Sequence, residues 1–204
     1  MTTENQTELA SSRSNYIHMK FEAYLSYFEQ VLANPSAYPT YADPEYFNYT
    51  KLNWSRMNRW LKRFKADEET KTFFLDWGEK QTWVLITEPW CGDAAHSVPQ
   101  IYELVKDNPN IVLDIQLRDT APFLIDQYLT EGGKSIPKLI IRNESGVDIA
   151  TWGPRPAVLQ KLFVKMKEEE KPFEEIKEYF QKWYNEDKGM ELQKELIELL
   201  TVRV

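Results

Sequence analysis

The sequence contains a single cysteine, and this scarcity excludes several kinds of protein. One thiol cannot form a disulfide within the chain, whereas small secreted proteins depend on such bonds for their stability. Only two histidines are present and they lie far apart, so no set of zinc ligands has the usual spacing. We therefore predict no metal and no cofactor, and we expect a cytoplasmic protein.

A long apolar run and a basic stripe are also missing. No stretch of about 18 apolar residues occurs, so no membrane span is predicted. The net charge is -7 and the basic residues are spread among the acids, which argues against nucleic acid as a partner. Residues 1–15 are polar, without the apolar segment of a secretory signal, and we expect them to form a flexible tail.

Aromatic side chains are abundant near the N-terminus. Thirteen of the 28 aromatic residues lie within residues 16–64. Apolar positions three and four residues apart predict two amphipathic helices there, one running from Ile17 to Pro35 and one through Met57 and Phe64. Two isolated helices could not bury so many rings. We expect this segment to pack on the domain that follows or on another subunit, so a homodimer remains an option.

The pattern changes after Asp67, which is predicted to cap a helix. Short apolar strands then alternate with helices, at 83–87 (strand), 91–105 (helix), 111–117 (strand), 122–129 (helix) and 138–142 (strand). This βαβαβ order predicts an α/β layer with right-handed crossovers. A turn at 143–146 predicts a hairpin with the segment 147–152, so the sheet should be mixed.

Three more helices are predicted after the hairpin, the first beginning near Pro156. The chain therefore divides into four parts, which are a flexible tail at 1–15, an N-terminal helical extension at 16–66, an α/β domain at 67–166 and a C-terminal helical extension at 167–204.

The cysteine lies where the first strand ends and a helix begins, in the sequence Trp90-Cys91-Gly92-Asp93-Ala94. The start of a helix offers free backbone N–H groups and the positive end of the helix dipole, which favour a thiolate. Asp93 and Glu88 act in the opposite direction, because a nearby negative charge disfavours the ionised sulfur. The balance between these effects decides whether Cys91 is reactive.

This motif resembles the redox site of the thioredoxins, a Trp-Cys-Gly-Pro-Cys turn at a strand-to-helix junction. Trp90, Cys91 and Gly92 match the turn, whereas Asp93 and Ala94 depart from it. The resemblance covers residues 67–166 and implies a thioredoxin-like α/β fold, with a mixed sheet flanked by helices.

Four later residues extend the resemblance. Pro99 matches the proline inside the family's active-site helix, and Ile136 with Pro137 matches its cis-proline loop. Gly153 matches a glycine beside the substrate groove. An extended peptide could pair with the backbone of Ile136 next to Cys91.

The resemblance implies thiol–disulfide exchange, but with a single thiol. A thioredoxin's first thiolate forms a mixed disulfide and its second thiolate releases the product. Ala94 replaces the second cysteine, and Leu85 stands where the family usually has a buried acid. We expect monothiol exchange at Cys91 with a protein disulfide or a low-molecular-weight thiol, on a substrate-binding surface formed by Trp90, Gly92, Asp93, Ala94, Ile136, Pro137 and Gly153.

Other interpretations stay open. The chain could be a non-catalytic thioredoxin-fold binding or protein-interaction module with an inert Cys91, or a peroxide sensor in which Cys91 is oxidised to sulfenic acid. Asp93 and Ala94 also suit a helix start without any function. We expect Trp90 to be a partly exposed platform and His96 to be a surface histidine.

Overall fold

The computed structural model describes residues 19–202. The predicted tail at 1–15 and the predicted helix start at Ile17 lie outside this range. The described helices are α1 (Phe21–Ala33), α2 (Pro44–Arg63), α3 (Glu68–Leu75), α4 (Gly92–Val105), α5 (Ala157–Glu168), α6 (Phe173–Asp187) and α7 (Met190–Thr201). The strands are β1 (Gln81–Thr87), β2 (Ile111–Leu117), β3 (Lys138–Asn143) and β4 (Asp148–Trp152).

The four strands form one mixed sheet in the order β2-β1-β3-β4. β1 is parallel to β2 and antiparallel to β3, so that Val84 lies opposite Asp114 on one side and Ile140 on the other. β3 and β4 form the predicted antiparallel hairpin. The α/β class and the mixed sheet are therefore confirmed.

The prediction of a helix at 122–129 is wrong. Phe123 has a left-handed backbone (φ 56°), which interrupts a helix, and only the short 3-10 turn Leu124–Gln127 forms. Because no full helix carries the chain back across the layer, β3 starts at the edge where β2 ends. The structure therefore has one parallel crossover, from β1 through α4 to β2, rather than the two that βαβαβ implies.

This topology brings four chain segments to one edge of the sheet. β1, β2 and β4 end there and β3 begins there, as the pairs Thr87 with Leu117, Ile86 with Lys138 and Leu139 with Trp152 show. The residues that follow β1 and β4 and those that precede β3 are consequently neighbours. The predicted site residues belong to these three segments.

The N-terminal aromatic segment packs on the α/β layer, as expected. Phe21, Phe28 and Trp60 belong to the same buried core as Trp83 and Ile101. α2, which Asp43 caps and Pro44 opens, packs against α4. Asp67 caps α3 through the backbone N–H of Thr70, at 2.8 Å, as the sequence predicts. The predicted domain boundaries remain predictions.

The C-terminal helices contribute to two apolar clusters. α7 adds Leu192, Leu196 and Leu200 to the main core. α5 and α6 enclose a second, smaller apolar cluster, which consists of Leu159, Ile176, Phe180 and Tyr184. α6 also lies over the start of α4, so it covers part of the predicted site.

Candidate functional site

Cys91 immediately precedes α4, and its thiol is almost buried. The residue has an extended backbone and is 7% exposed. Its Sγ donates a hydrogen bond to the carbonyl oxygen of Ile136, at 3.2 Å. The thiol is thus hydrogen-bonded to the backbone of Ile136, with which an extended peptide was expected to pair.

The thiol of Cys91 is stabilised in its protonated form. Burial is the main cause, the charge of Asp93 adds to it, and together they raise the pKa of Cys91 to about 12. The backbone N–H groups of Ala94 and Asp93 and the charge of Arg155 act in the opposite direction. The helix-start effect that favours a thiolate is present, but burial outweighs it.

The cis-proline loop and Gly153 lie together beside Cys91. The Ile136–Pro137 bond is cis, as predicted. Gly153 has a left-handed φ of 107°, and a Cβ added there would lie 2.2 Å from the carbonyl oxygen of Pro137. Only glycine allows the two loops this close approach.

Asp93 is in the first turn of α4, where the sequence places it, and it has two further partners. The guanidinium of Arg155 donates to Asp93 Oδ2 through Nε at 3.0 Å and Nη2 at 2.6 Å. The hydroxyl of Tyr184 donates to Asp93 Oδ1 at 2.7 Å. The side chains of Asp93 and Arg155 are each 12% exposed. This network links α4 to the loop after β4 and to α6.

The prediction that His96 is a surface residue is wrong. His96 is buried, its Nδ1 accepts a hydrogen bond from Trp60 Nε1 at 2.9 Å, and its ring stacks on Tyr184 at 4.2 Å. Burial, with the charges of Arg56 and Arg59, keeps the pKa of His96 well below its usual range. The histidine is therefore neutral. Its position five residues after Cys91 could not reveal that a helix 80 residues later covers it.

Trp90 is partly exposed, as expected for a platform. The guanidinium of Arg118 lies 4.4 Å from the centre of its ring, and Tyr46 approaches the ring edge-on at 5.5 Å. Trp90 therefore forms a wall between α2 and the segment that follows β2.

Glu88 is buried, whereas the sequence indicated only that its charge is near the sulfur of Cys91. Its carboxylate accepts from the Tyr41 hydroxyl at 2.9 Å and from the Asp119 N–H at 3.0 Å. Burial, with a smaller contribution from the charge of Asp119, raises the pKa of Glu88 to about 7, while the hydrogen bonds from the Asp119 N–H and the Tyr41 hydroxyl act in the opposite direction. The backbone carbonyl oxygen of Glu88 also accepts a hydrogen bond from the N–H of Cys91, at 3.1 Å.

A cavity of about 1050 Å³ opens at Cys91. We call it the Cys91 cavity. Its wall includes the motif residues Trp90, Cys91, Gly92 and Asp93, together with Ile136 from the cis-proline loop. α2 and α6 contribute further lining residues, notably Tyr49, Arg56, Phe173 and Tyr184. Ala94, Pro137 and Gly153 are not part of the wall; Ala94 is fully buried in the core.

Within residues 19–202, no cluster of three or more potential ligands could hold a metal ion. In the same range no helix is long and apolar enough to cross a membrane.

Comparison with known proteins identifies the class. The sequence profile of the thioredoxin family matches residues 41–171, and this range includes the motif and the cis-proline loop. The chain belongs to the thioredoxin family. No curated protein matches it.

Two solved structures are similar to the chain. A protein of unknown function from Pseudomonas aeruginosa has a TM-score of 0.58 at 11% identity, covering 75% of this chain and 86% of that one. An HIV epitope-scaffold has a TM-score of 0.47 at 15% identity, covering 55% of this chain and 73% of that one. The first similarity supports the fold.

Proposed function

We propose that this thioredoxin-family protein binds a small organic molecule in the Cys91 cavity, with Cys91 as a protonated thiol in the wall. The main support for binding is the cavity of about 1050 Å³ beside Cys91, and the support for a protonated thiol is the hydrogen bond from the buried Sγ to the Ile136 carbonyl. A thiol that donates this bond is not a nucleophile, because the nucleophile is the thiolate.

The size of the cavity favours a small molecule. Ligand cavities for small organic molecules measure on the order of 300–1,000 Å³, with mainly apolar walls and a few polar groups. About 1050 Å³ is at the upper end of this scale, and aromatic rings provide much of the wall. α6 contacts α2 through Lys177 with Tyr49 and through Arg59 with Asn185, and both helices line the cavity.

The ordered network around Asp93 is a second support. Arg155 and Tyr184 hold Asp93 in place, and Tyr184 in turn stacks on His96. A binding site formed by side chains that already have fixed partners does not have to be ordered when the ligand arrives, which lowers the cost of binding.

Monothiol exchange is the second candidate, favoured by the position of Cys91 in the cavity wall beside the cis-proline loop. In that reaction the Cys91 thiolate attacks a disulfide, forms a mixed disulfide and releases one thiolate. An external thiol, such as glutathione, then attacks the mixed disulfide, regenerates Cys91 and completes the exchange. This candidate requires a ligand or partner to lower the pKa of Cys91.

One experiment separates the two functions. The protein is incubated at neutral pH with oxidised glutathione, and adducts are measured by mass spectrometry with Cys91→Ser as the control. The binding function predicts no adduct on the timescale at which a free cysteine peptide reacts completely. Rapid glutathionylation of the native protein that Cys91→Ser abolishes would contradict it and establish exchange.

A further inference from the structure

Among the described residues, Arg56 is the cation of the cavity wall that forms no ion pair. It belongs to α2, and its Nη1 atom lies 3.7 Å from the position that a Cβ on Gly92 would take. The guanidinium therefore lies beside the N-terminus of α4, next to Cys91. Two sources of positive potential, the arginine and the helix start, meet at this point of the wall.

The hydrogen bonds of Arg56 leave donors unused. Nη1 donates to Asn53 Oδ1 at 2.9 Å, and Asn53 in turn donates to the Pro89 carbonyl at 3.0 Å, which fixes the arginine to the loop before Cys91. Nε is buried without an acceptor. Among the described residues, Nη2 donates no hydrogen bond and Arg56 forms no ion pair.

The other five cations that line the cavity each pair with an acid of the described chain, and two of these pairs, Lys177 with Glu174 and Lys182 with Glu186 at 3.9 Å, lie within α6. Arg155 pairs with Asp93 at 2.6 Å, Lys134 with Asp126 at 2.7 Å, and Arg118 with Asp119 at 2.8 Å. For Arg56, burial and the charge of Arg59 lower the pKa, and they outweigh the charges of Asp93 and Tyr49, which act in the opposite direction.

The acidic side chains of the wall that form no ion pair do not neutralise Arg56. Glu45 and Glu178 are the lining acids without an ion pair in the described part of the chain, and both are exposed to water. Water screens their charges from the partly buried guanidinium. The neighbourhood of Arg56 therefore favours an anion from outside the protein.

We propose that the ligand is an organic carboxylate with an aromatic or apolar body, and that Arg56 binds its carboxylate. This inference rests on the proposed binding function and specifies its ligand. A planar guanidinium with free donors matches the two oxygens of a carboxylate. Tyr46, Tyr49 and Trp90 also line the cavity and provide aromatic surface for the body of the ligand.

The test compares two probes that differ in one charge. Dansylglycine carries a carboxylate and dansylglycinamide is its neutral amide, and binding of either is followed by energy transfer from the protein's tryptophans. The native protein is expected to bind the carboxylate about tenfold more tightly than the amide. Arg56→Gln is expected to bring the two affinities together by weakening carboxylate binding alone.

Two variants serve as controls. Arg63→Gln removes an exposed arginine near the end of the same helix and should keep the preference for the carboxylate. Arg56→Lys keeps the charge without the planar donors and should keep part of it. Circular dichroism of each variant confirms that the fold is intact.

The outcomes distinguish the two proposals. Equal affinity of the native protein for both probes, or a carboxylate preference that persists in Arg56→Gln, overturns the role of Arg56 and leaves the binding function standing. Failure of both probes to bind contradicts the small-molecule cavity itself, and with it the inference built on it.

Discussion

The chemistry of Cys91 depends on the charges of two neighbouring side chains. Asp93 raises the pKa of the thiol and Arg155 lowers it, and the two are joined by an ion pair. The sequence motif contains only the first of them. The residue that matches the family, Cys91, therefore has a different electrostatic environment from the one that its position at a helix start suggests.

Substitutions at this ion pair should shift the pKa of Cys91 in opposite directions. Asp93→Asn removes the negative charge, so the pKa should fall while burial keeps it above that of a free thiol. Arg155→Gln removes the positive charge, so the pKa should rise. Ultraviolet titration of the thiolate measures both, with Cys91→Ser as the blank. The absence of both shifts would show that burial alone controls the thiol, and shifts in the same direction would contradict the opposing effects of the two charges.

Gly153 is a position at which the backbone geometry allows only glycine. Gly153→Ala combines a left-handed φ with a contact of 2.2 Å between the new Cβ and the carbonyl oxygen of Pro137. We expect the free energy of unfolding to fall by at least about 2 kcal/mol in denaturant titrations. Gly132→Ala provides the control, because φ is also positive there but nothing lies within 4 Å. Equal losses in both variants would mean that the close approach to Pro137 does not matter.

At the scale of elements, α6 is what distinguishes this site from an open groove. The helix contributes Tyr184, which contacts both Asp93 and His96 across 88 or more residues of sequence. α2 provides another part of the wall and positions Arg56. The two helical extensions that carry no recognised motif therefore complete the Cys91 cavity.

Two variants of Tyr184 separate its hydrogen bond from its packing. Tyr184→Phe removes the bond to Asp93 but keeps the ring on His96, and should lower the free energy of unfolding by about 1 to 2 kcal/mol. Tyr184→Ala also removes the buried ring and should cost about 3 to 5 kcal/mol. Denaturant unfolding gives both values. An alanine variant as stable as the phenylalanine variant would show that α6 is not packed on α4.

At the scale of the whole molecule, the stability should depend on the protonation of Glu88. Its pKa of about 7 in the folded protein exceeds the ordinary value of 4.5. The folded state therefore holds this proton more tightly than the unfolded state. The stabilisation is complete below pH 4.5 and is lost as the pH rises towards 7, by up to about 3 kcal/mol.

Glu88→Gln isolates this effect, because it keeps an oxygen acceptor and removes the titration. The stability difference between the native protein and Glu88→Gln should shift in favour of the variant as the pH rises from 4.5 to 7. Other groups, such as His96, titrate in both proteins and cancel in the comparison. A difference that does not change with pH would mean that Glu88 is not the buried acid that the structure shows.

The sequence was informative where the function of a residue follows from its neighbours in the chain. Cys91 at a strand-to-helix junction, Pro137 before a strand and the cap at Asp67 are local features, and their positions are confirmed. The helix at 122–129 was also predicted from local features, and this prediction is wrong. Phe123 has a left-handed backbone conformation, which the sequence around it does not indicate.

The partners of the site could not be predicted, because they depend on how distant helices pack. Arg56, Arg155 and Tyr184 carry no motif, and His96 becomes buried only when α6 covers it. The one signal was the excess of aromatic rings near the N-terminus, which required a partner surface. It indicated that α1 and α2 pack on the domain, but not that α2 brings an arginine to Cys91.

The proposed function depends most on Cys91 being a protonated thiol in the wall of the Cys91 cavity. The pH dependence of its alkylation by iodoacetamide, measured on the native chain with the single cysteine as the only target, tests it most directly. Cys91 is expected to react slowly at neutral pH, with an apparent pKa well above that of a free thiol. Fast alkylation at neutral pH with an apparent pKa below that of a free thiol would contradict it and identify Cys91 as a nucleophile.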